Sequence, residues 1–214
     1  MDDAALIADL FAHVPVTPTA REDVLARMAG PDRHYHGLGH LATLWQRHLS
    51  HGAGLPVREP PWHRRIACAI AFHDAVYDPT RRDNEAASAA LWRNAAPALA
   101  PWETDWVAGT ILATADHLGA APEPGMAPEA WEARLWMLDL DLSPLGESEA
   151  TFNANTSGLR AEYAHLDDAA WASGRLGFLR ALSGRGPLFR HPVLAAAFEA
   201  PTRANLAREL AAAR

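Results

Sequence analysis

The chain has 214 residues, a formal net charge of −7 and 49% hydrophobic residues. This size and composition are typical of a single soluble domain with a sizeable core, and the negative charge argues against a general affinity for nucleic acid or anionic membranes. The single cysteine, Cys68, excludes an intrachain disulfide and a cluster of thiolate metal ligands. The acidic N-terminus and the lack of an apolar run of about 18 residues favour a cytoplasmic protein without a membrane span.

Apolar residues recur at helical spacing along nearly the whole chain, and no segment shows the alternation that is typical of a strand. Proline and glycine mark the ends of most of these segments. The predicted helices cover residues 6–14, 17–29, 37–51, 64–74, 83–96, 102–119, 131–143, 152–166, 176–182, 193–198 and 206–210. The sequence therefore predicts an all-α fold, a single-domain helical bundle. We interpret the long apolar stripe from Phe152 to Leu166 as core rather than as a dimer face.

The pair His73-Asp74 stands at the end of an apolar helical run that includes Ile66 and Ile70. We predict that both residues lie on this helix, on its buried side. A buried carboxylate without a partner is costly, so Asp74 needs a cation, a metal or several hydrogen bonds. An imidazole beside a carboxylate suits a divalent ion. A metal site is therefore our leading explanation of this pair.

The segment 33–40 is a first candidate partner, because it contains three histidines within seven residues. His36 and His40 are four residues apart and share a face if one helix includes both. Gly37 and Gly39 would lie near the start of that helix, where they allow the backbone to approach a ligand closely. The alternative is a histidine-rich loop exposed to solvent.

Two later segments supply further candidates. Asp139 and Asp141 lie in the leucine-rich run 138–142, and residues two apart on a helix point in different directions. We expect one carboxylate to point inward and the other to face solvent or cap a helix; the alternative is that both are solvated. His117 is either a site residue or a cap of its own helix. The remaining histidines are interpreted as structural or surface residues on solvent faces or beside loops: His13, His48, His51, His63, His165 and His191.

Taken in order, several segments resemble the HD-domain superfamily of metal-dependent phosphohydrolases, and within it a subgroup of predicted bacterial phosphohydrolases. The similar segments are 33–40, 72–79, 83–89 and 138–146, with shorter ones at 162–163, 174–175 and 204–206. The resemblance covers residues 30–210. It implies a bundle of the HD-domain and phosphodiesterase type, with N-terminal helices in 1–30, a metal-site core in 31–145 and C-terminal helices in 146–214.

The resemblance also implies one catalytic divalent ion, which we expect to be Mn, Mg, Ni, Co, Fe or Zn. Its expected ligands are His40, His73, Asp74 and Asp141. Asp141 is favoured over Asp139 because Asp141-Leu142 matches the Asp-Leu pair of the family better.

Roles outside the ligand set follow in the same way. His36 resembles the proton donor of related cyclic-nucleotide phosphodiesterases, although Gly37 stands where an asparagine is more usual. Arg33 has the forked donor geometry that suits a phosphate oxygen. The predicted catalytic residues are His36, Asp74 and His117, and the predicted substrate-binding residues are Arg33, Asn84 and Glu85.

The expected function is hydrolysis of a small phosphate ester, for instance a nucleotide, by metal-activated water. We expect a monomer or a homodimer that binds neither nucleic acid nor membrane. One alternative is a non-catalytic helical module that binds a nucleotide or a partner protein. The other is a di-iron oxygenase, which needs extra histidines between the HD pair and the last aspartate, where only His117 occurs.

Overall fold

The computed structural model describes residues 1–96 and 99–212, and these form helices and connecting loops without any strand. The prediction of an all-α fold is confirmed, whereas the HD-domain type stays a prediction. The α-helices in these residues are α1 Asp3–Ala12, α2 Pro18–Met28, α3 Leu38–His51, α4 Pro60–Phe72, α5 Asn84–Ala95, α6 Pro101–Ala113, α7 Pro128–Leu142, α8 Glu149–Glu162, α9 Asp168–Ser183 and α10 Pro192–Ala212. Short 3-10 helices span Pro56–Arg58, Thr114–Asp116 and Ser143–Gly146. None of the helices described is both long and apolar enough to cross a membrane.

Helix α4 lies at the centre of the bundle and contacts α1, α3, α5, α6 and α7. Every residue from Ile66 to Phe72 is fully buried. A helix that is apolar on all sides belongs in the core, because no face of it gains from contact with water. The C-terminal end of α4 therefore lies inside the molecule, and the residues that follow it enter the interior as well.

The HD pair lies just beyond α4 rather than on it. Helix α4 ends at Phe72, and the backbone N–H of His73 donates to the carbonyl of Ala69 at 3.0 Å. The prediction that both residues belong to the helix is therefore wrong at its boundary. His73 keeps helical dihedral angles, with φ −58° and ψ −39°, so its side chain leaves the backbone in nearly the direction that the helical pattern indicates.

Most other boundaries follow local signals. The Thr17 hydroxyl accepts a hydrogen bond from the N–H of Ala20 and caps α2, and Gly37 directly precedes α3. The two segments predicted at the C-terminus are one helix, α10, which continues through Pro201. Proline removes a single helical hydrogen bond, and Asn205 anchors the second half by donating to the carbonyls of Leu145 and Glu147.

The apolar stripe that we interpreted as core is only partly covered. Helix α8 ends at Glu162, and Phe152 is buried, whereas Leu159, Tyr163 and Leu166 are half-buried. These three residues line a groove between α8 and α9 instead of facing the centre of the bundle.

Candidate metal centre

The four predicted ligands lie together where the start of α3, the end of α4 and the end of α7 converge. The Nε2 atoms of His40 and His73 are 3.2 Å apart, and Asp74 Oδ2 lies 3.0 Å from His73 Nε2. Asp141 Oδ1 lies 3.0 Å from His40 Nε2 and 3.4 Å from His73 Nε2. His40, His73 and Asp74 form a group whose ligand atoms all lie within 4.8 Å of one another and that could hold a metal ion.

The spacing of these atoms fits a divalent ion. Bonds of about 2.1 Å place neighbouring ligand atoms roughly 3.0–3.4 Å apart in octahedral or tetrahedral coordination. Four of the separations around His40 and His73 fall between 3.0 and 3.4 Å. His40 Nε2 and Asp74 Oδ2 are farther apart, at 3.8 Å, so a small adjustment of Asp74 would complete the set.

Hydrogen bonding orients the imidazole of His73 for ligation. His73 Nδ1 lies 3.0 Å from the carbonyl of Ile70, which can only accept a hydrogen bond. The proton therefore resides on Nδ1, and in the neutral ring Nε2 directs its lone pair towards His40. Two imidazole nitrogens that face each other need either a shared proton or a cation between them. This arrangement agrees with the donor set that the sequence predicts.

Burial and the neighbouring charges shift the pKa values of these groups in opposite directions. Burial lowers the pKa of His40. Burial also acts to lower the pKa of His73, but the charges of Asp74 and Asp141 raise it well above its ordinary value. For Asp141, burial acts to raise the pKa, but His73 and the hydrogen bonds from neighbouring histidines hold it well below the usual range. In the metal-free protein, a proton on His73 thus balances ionised carboxylates in the position where a cation would do so.

His36 lies beside the centre and is held by Glu162, a residue that the sequence interpretation missed. Glu162 Oε1 accepts the backbone N–H groups of Tyr35 and His36 at 2.7 and 2.8 Å, and Oε2 lies 2.6 Å from His36 Nδ1. Burial acts to raise the pKa of Glu162, but the hydrogen bond and charge of His36 lower it. The ring of His36 is thereby fixed with Nε2 unengaged by Glu162. Glu162 and His36 are 126 residues apart, so the only signal was the Glu162-Tyr163 dipeptide within the family resemblance.

Arg33 donates to three backbone carbonyls, and its predicted role in substrate binding stays a prediction. Its NH1 group donates to the carbonyls of His36 and Asp74 at 2.8 and 2.7 Å, and its NH2 group donates to the carbonyl of Ala75 at 3.2 Å. The guanidinium thus joins the His36 segment to the turn that carries the HD pair. This geometry favours a positioning role over the predicted contact with substrate phosphate.

Asn84 is also engaged in structure rather than free for a substrate. Its Oδ1 accepts the N–H of Asp78 at 3.0 Å, and its Nδ2 donates to the Asp78 carbonyl at 2.9 Å. Ser88 makes the same pair of contacts with the backbone of Val76. Helix α5 therefore holds the loop that follows the HD pair. Glu85 is half-buried and makes no ion pair or hydrogen bond with side chains in the described part of the chain, and its substrate role stays a prediction.

His117 is the C-cap residue of the 3-10 helix Thr114–Asp116, and its side chain contacts Asp141 of the candidate centre. His117 Nε2 lies 2.7 Å from Asp141 Oδ2. Arg190 holds the loop of His117 by donating to the carbonyls of His117 and Ala120. His117 therefore orients the carboxylate of a candidate ligand from the side opposite His40.

The neighbouring aspartate has another partner. Asp139 is buried, and its Oδ2 accepts the backbone N–H groups of Arg190 and His191 at 2.7 and 2.6 Å, just before α10. Burial raises the pKa of Asp139 to about 6, although both N–H groups act to lower it. Asp139 thus anchors the start of α10, as the expectation of one capping carboxylate allows, while Asp141 faces His40 and His73.

The structure corrects our placement of His48 on a solvent face or beside a loop, whereas His191 lies in the loop before α10 as expected. His48 is fully buried and His191 is nearly so. Trp136 Nε1 donates to His48 Nδ1 at 3.0 Å, so His48 Nε2 carries the proton and donates to His63 Nδ1 at 2.8 Å. Burial holds the pKa of His48 well below its ordinary value. His48 is therefore a neutral structural histidine with both nitrogens satisfied.

Comparison of the chain with protein-family models, with curated proteins and with solved structures finds no match. The case for a function consequently depends on the geometry of the site and on the chemistry of its residues.

Proposed function

We propose that this protein is a metal-dependent phosphohydrolase that cleaves a small phosphate monoester. The observation that carries the proposal is the convergence of His40, His73, Asp74 and Asp141 on one point. Two neutral imidazoles and two carboxylates together balance the charge of a divalent ion, so an anionic phosphate meets no net repulsion from the ligands. When bound, the ion supplies a water of lowered pKa and offsets the charge of the phosphate group.

The His36–Glu162 pair supports the second half of this chemistry, protonation of the departing oxygen. The ring centroids of His36 and His40 are 6.0 Å apart, which places His36 beside the ligand set. Glu162 accepts a hydrogen bond from Nδ1, which fixes the ring and leaves Nε2 free of this partner. A second proton on Nε2 is then the one that His36 can transfer to a leaving group.

The first experiment is metal analysis of untagged protein, wild type beside His73→Ala. We expect one divalent metal per chain in the wild type and none in the variant, together with metal-dependent hydrolysis of p-nitrophenyl phosphate by the wild type alone. His165→Ala is the matched control, because His165 is exposed in the structure. Failure of both proteins to bind Mn²⁺, Mg²⁺, Co²⁺ or Ni²⁺ would overturn the proposal in favour of a non-catalytic module. Two irons per chain would favour the oxygenase instead.

A second experiment isolates the proton donor. An alkyl phosphate has a leaving group that needs protonation, whereas p-nitrophenolate leaves without it. We expect His36→Ala to lower turnover of an alkyl phosphate by about 100-fold and that of p-nitrophenyl phosphate by much less. Glu162→Gln should show the same selectivity to a smaller extent, because its amide has one accepting oxygen in place of two and holds the His36 ring less firmly. Equal losses on both substrates would remove the proton-donor role.

A further inference from the structure

A cavity of about 330 Å³ borders the candidate centre at His40 and Tyr35. Its walls come from α1, the start of α3, the residues around the 3-10 helix Ser143–Gly146, and α8. Ligand pockets span roughly 300–1,000 Å³, so this one suits a small organic group. Most of the side chains that line it beyond the centre are polar: Asp3, Thr43, Glu147, Thr151 and Asn155.

The charge of this cavity disfavours a second anion. Asp3 and Glu147 contribute carboxylates, and Arg47 pairs with Glu147. Asp3 makes no ion pair with any residue that the structure describes. The guanidinium of Arg33, which also lines the cavity, donates to backbone carbonyls, and the neighbouring carboxylates of Asp74 and Glu162 already offset its charge. A further phosphate or carboxylate on the substrate would therefore face an uncompensated negative charge.

The hydrogen-bonding groups of the cavity match hydroxyls. The side-chain amide of Asn155 has no hydrogen bond within the described residues and offers both a donor and two acceptor lone pairs. The hydroxyl of Thr43 donates to the carbonyl of Gly39 at 2.9 Å and still has its own lone pairs to accept with. A lipid or an unsubstituted aromatic group would leave these polar groups without partners, which costs binding free energy.

We infer that the substrate is a monophosphate ester whose organic part is small, hydroxylated and free of any second negative charge. This inference rests on the proposed function and specifies its substrate class. Phosphorylated polyols and sugars satisfy these requirements, whereas phosphorylated carboxylic acids, nucleoside diphosphates and phospholipids do not.

The test uses two racemic esters with the same carbon skeleton, glycerol 1-phosphate and 3-phosphoglycerate. The first carries a hydroxymethyl group where the second carries a carboxylate. With Mn²⁺-loaded protein we expect kcat/KM to be at least tenfold higher for glycerol 1-phosphate. Asp3→Asn should narrow that ratio by weakening the rejection of the carboxylate. Asn155→Ala should raise KM for glycerol 1-phosphate several-fold with little change in kcat. Ser157→Ala, on the exposed side of α8, is the matched control and should leave the ratio unchanged.

A binding readout separates this inference from turnover. Saturation-transfer NMR on the metal-free protein should detect the carbon-bound protons of glycerol 1-phosphate with wild type, and less so with Asn155→Ala. Equal or better hydrolysis of 3-phosphoglycerate would overturn the substrate class while the phosphohydrolase stands. Absence of metal-dependent hydrolysis of both esters and of p-nitrophenyl phosphate would overturn the proposed function, and this inference with it.

Discussion

The helices α3, α4 and α7 contribute to two histidine pairs with opposite properties. His40, near the start of α3, meets His73 after the end of α4, and His48, near the end of α3, meets His63 near the start of α4. The helices α3 and α4 therefore run antiparallel, and the two pairs lie about 12 Å apart along α3. Helix α7 adds a third residue to each pair. Asp141 contacts His40 in the first pair, and Trp136 contacts His48 in the second.

The two pairs differ in their capacity for metal because α7 places an indole beside one and a carboxylate beside the other. The indole N–H of Trp136 is a donor, so it occupies the lone pair of His48 and fixes the direction of the hydrogen bond to His63. The carboxylate of Asp141 is an acceptor, so it leaves the imidazoles of His40 and His73 available to a cation. His40, His73 and His48 are all buried and His63 is half-buried, so burial alone does not identify the pair that can bind metal, whereas the partners do.

The largest expected effect is loss of metal binding in Asp141→Asn. The amide keeps the volume of the carboxylate but removes its charge, so the apparent Kd for Mn²⁺ should rise by more than the roughly 10–100-fold that loss of an outer hydrogen-bond partner costs. Calorimetric titration measures this change. Unaltered Mn²⁺ affinity would remove Asp141 from the ligand set.

Trp136→Phe should lower the stability of the protein without changing its metal binding. The substitution leaves His48 Nδ1 buried without a donor and opens a small cavity, which together should cost about 2–4 kcal/mol in the free energy of unfolding. Urea denaturation measures that cost, while Mn²⁺ stoichiometry should stay at the wild-type value. A variant that lost its metal but kept its stability would contradict the assignment of the second pair as structural.

Asp139→Ala should be destabilising by about 1–3 kcal/mol, because the N–H groups of Arg190 and His191 lose their acceptor. The control is Asp139→Asn, which keeps an acceptor and removes a buried charge, and we expect its stability to lie near wild type. Both variants should bind Mn²⁺ like wild type. Loss of metal in Asp139→Asn with retention in Asp141→Asn would reverse our assignment of the two aspartates.

The smallest expected effect is on the pH dependence of the folding stability. Burial, with Arg58 and His13 nearby, lowers the pKa of His63 to about 4, below the ordinary value of about 6.5 in an unfolded chain. The unfolded state therefore binds more protons between these values, and the contribution of His63 to stability, complete above pH 6.5, is lost as the pH falls towards 4. His63→Asn keeps an acceptor for His48 but does not titrate.

In EDTA, the melting temperature of His63→Asn should fall less steeply than that of wild type between pH 6.5 and 4. The raised pKa of Asp139 acts in the opposite direction, but it is common to both proteins and cancels in the comparison. Parallel curves would show that His63 titrates normally in the folded protein.

The local spacing of apolar residues determined the helices of this protein and the burial of its HD pair. The second half of α4, residues 66–72, is apolar on every side, and this pattern predicts that the following His73 and Asp74 lie in the interior. The predicted end of the helix was slightly too late. The family resemblance selected the four candidate ligands, and the structure brings their side chains together.

Tertiary structure decided which partner each polar residue meets. The contact of Glu162 with His36 joins positions 126 residues apart, and Arg33 reaches the Asp74 carbonyl across 41 residues. His40 and His48 are both followed by a leucine in the same helix, but α7 offers His48 an N–H donor and His40 a carboxylate. Helical spacing encodes which side of a residue is buried, whereas the identity of the group opposite depends on how distant helices pack.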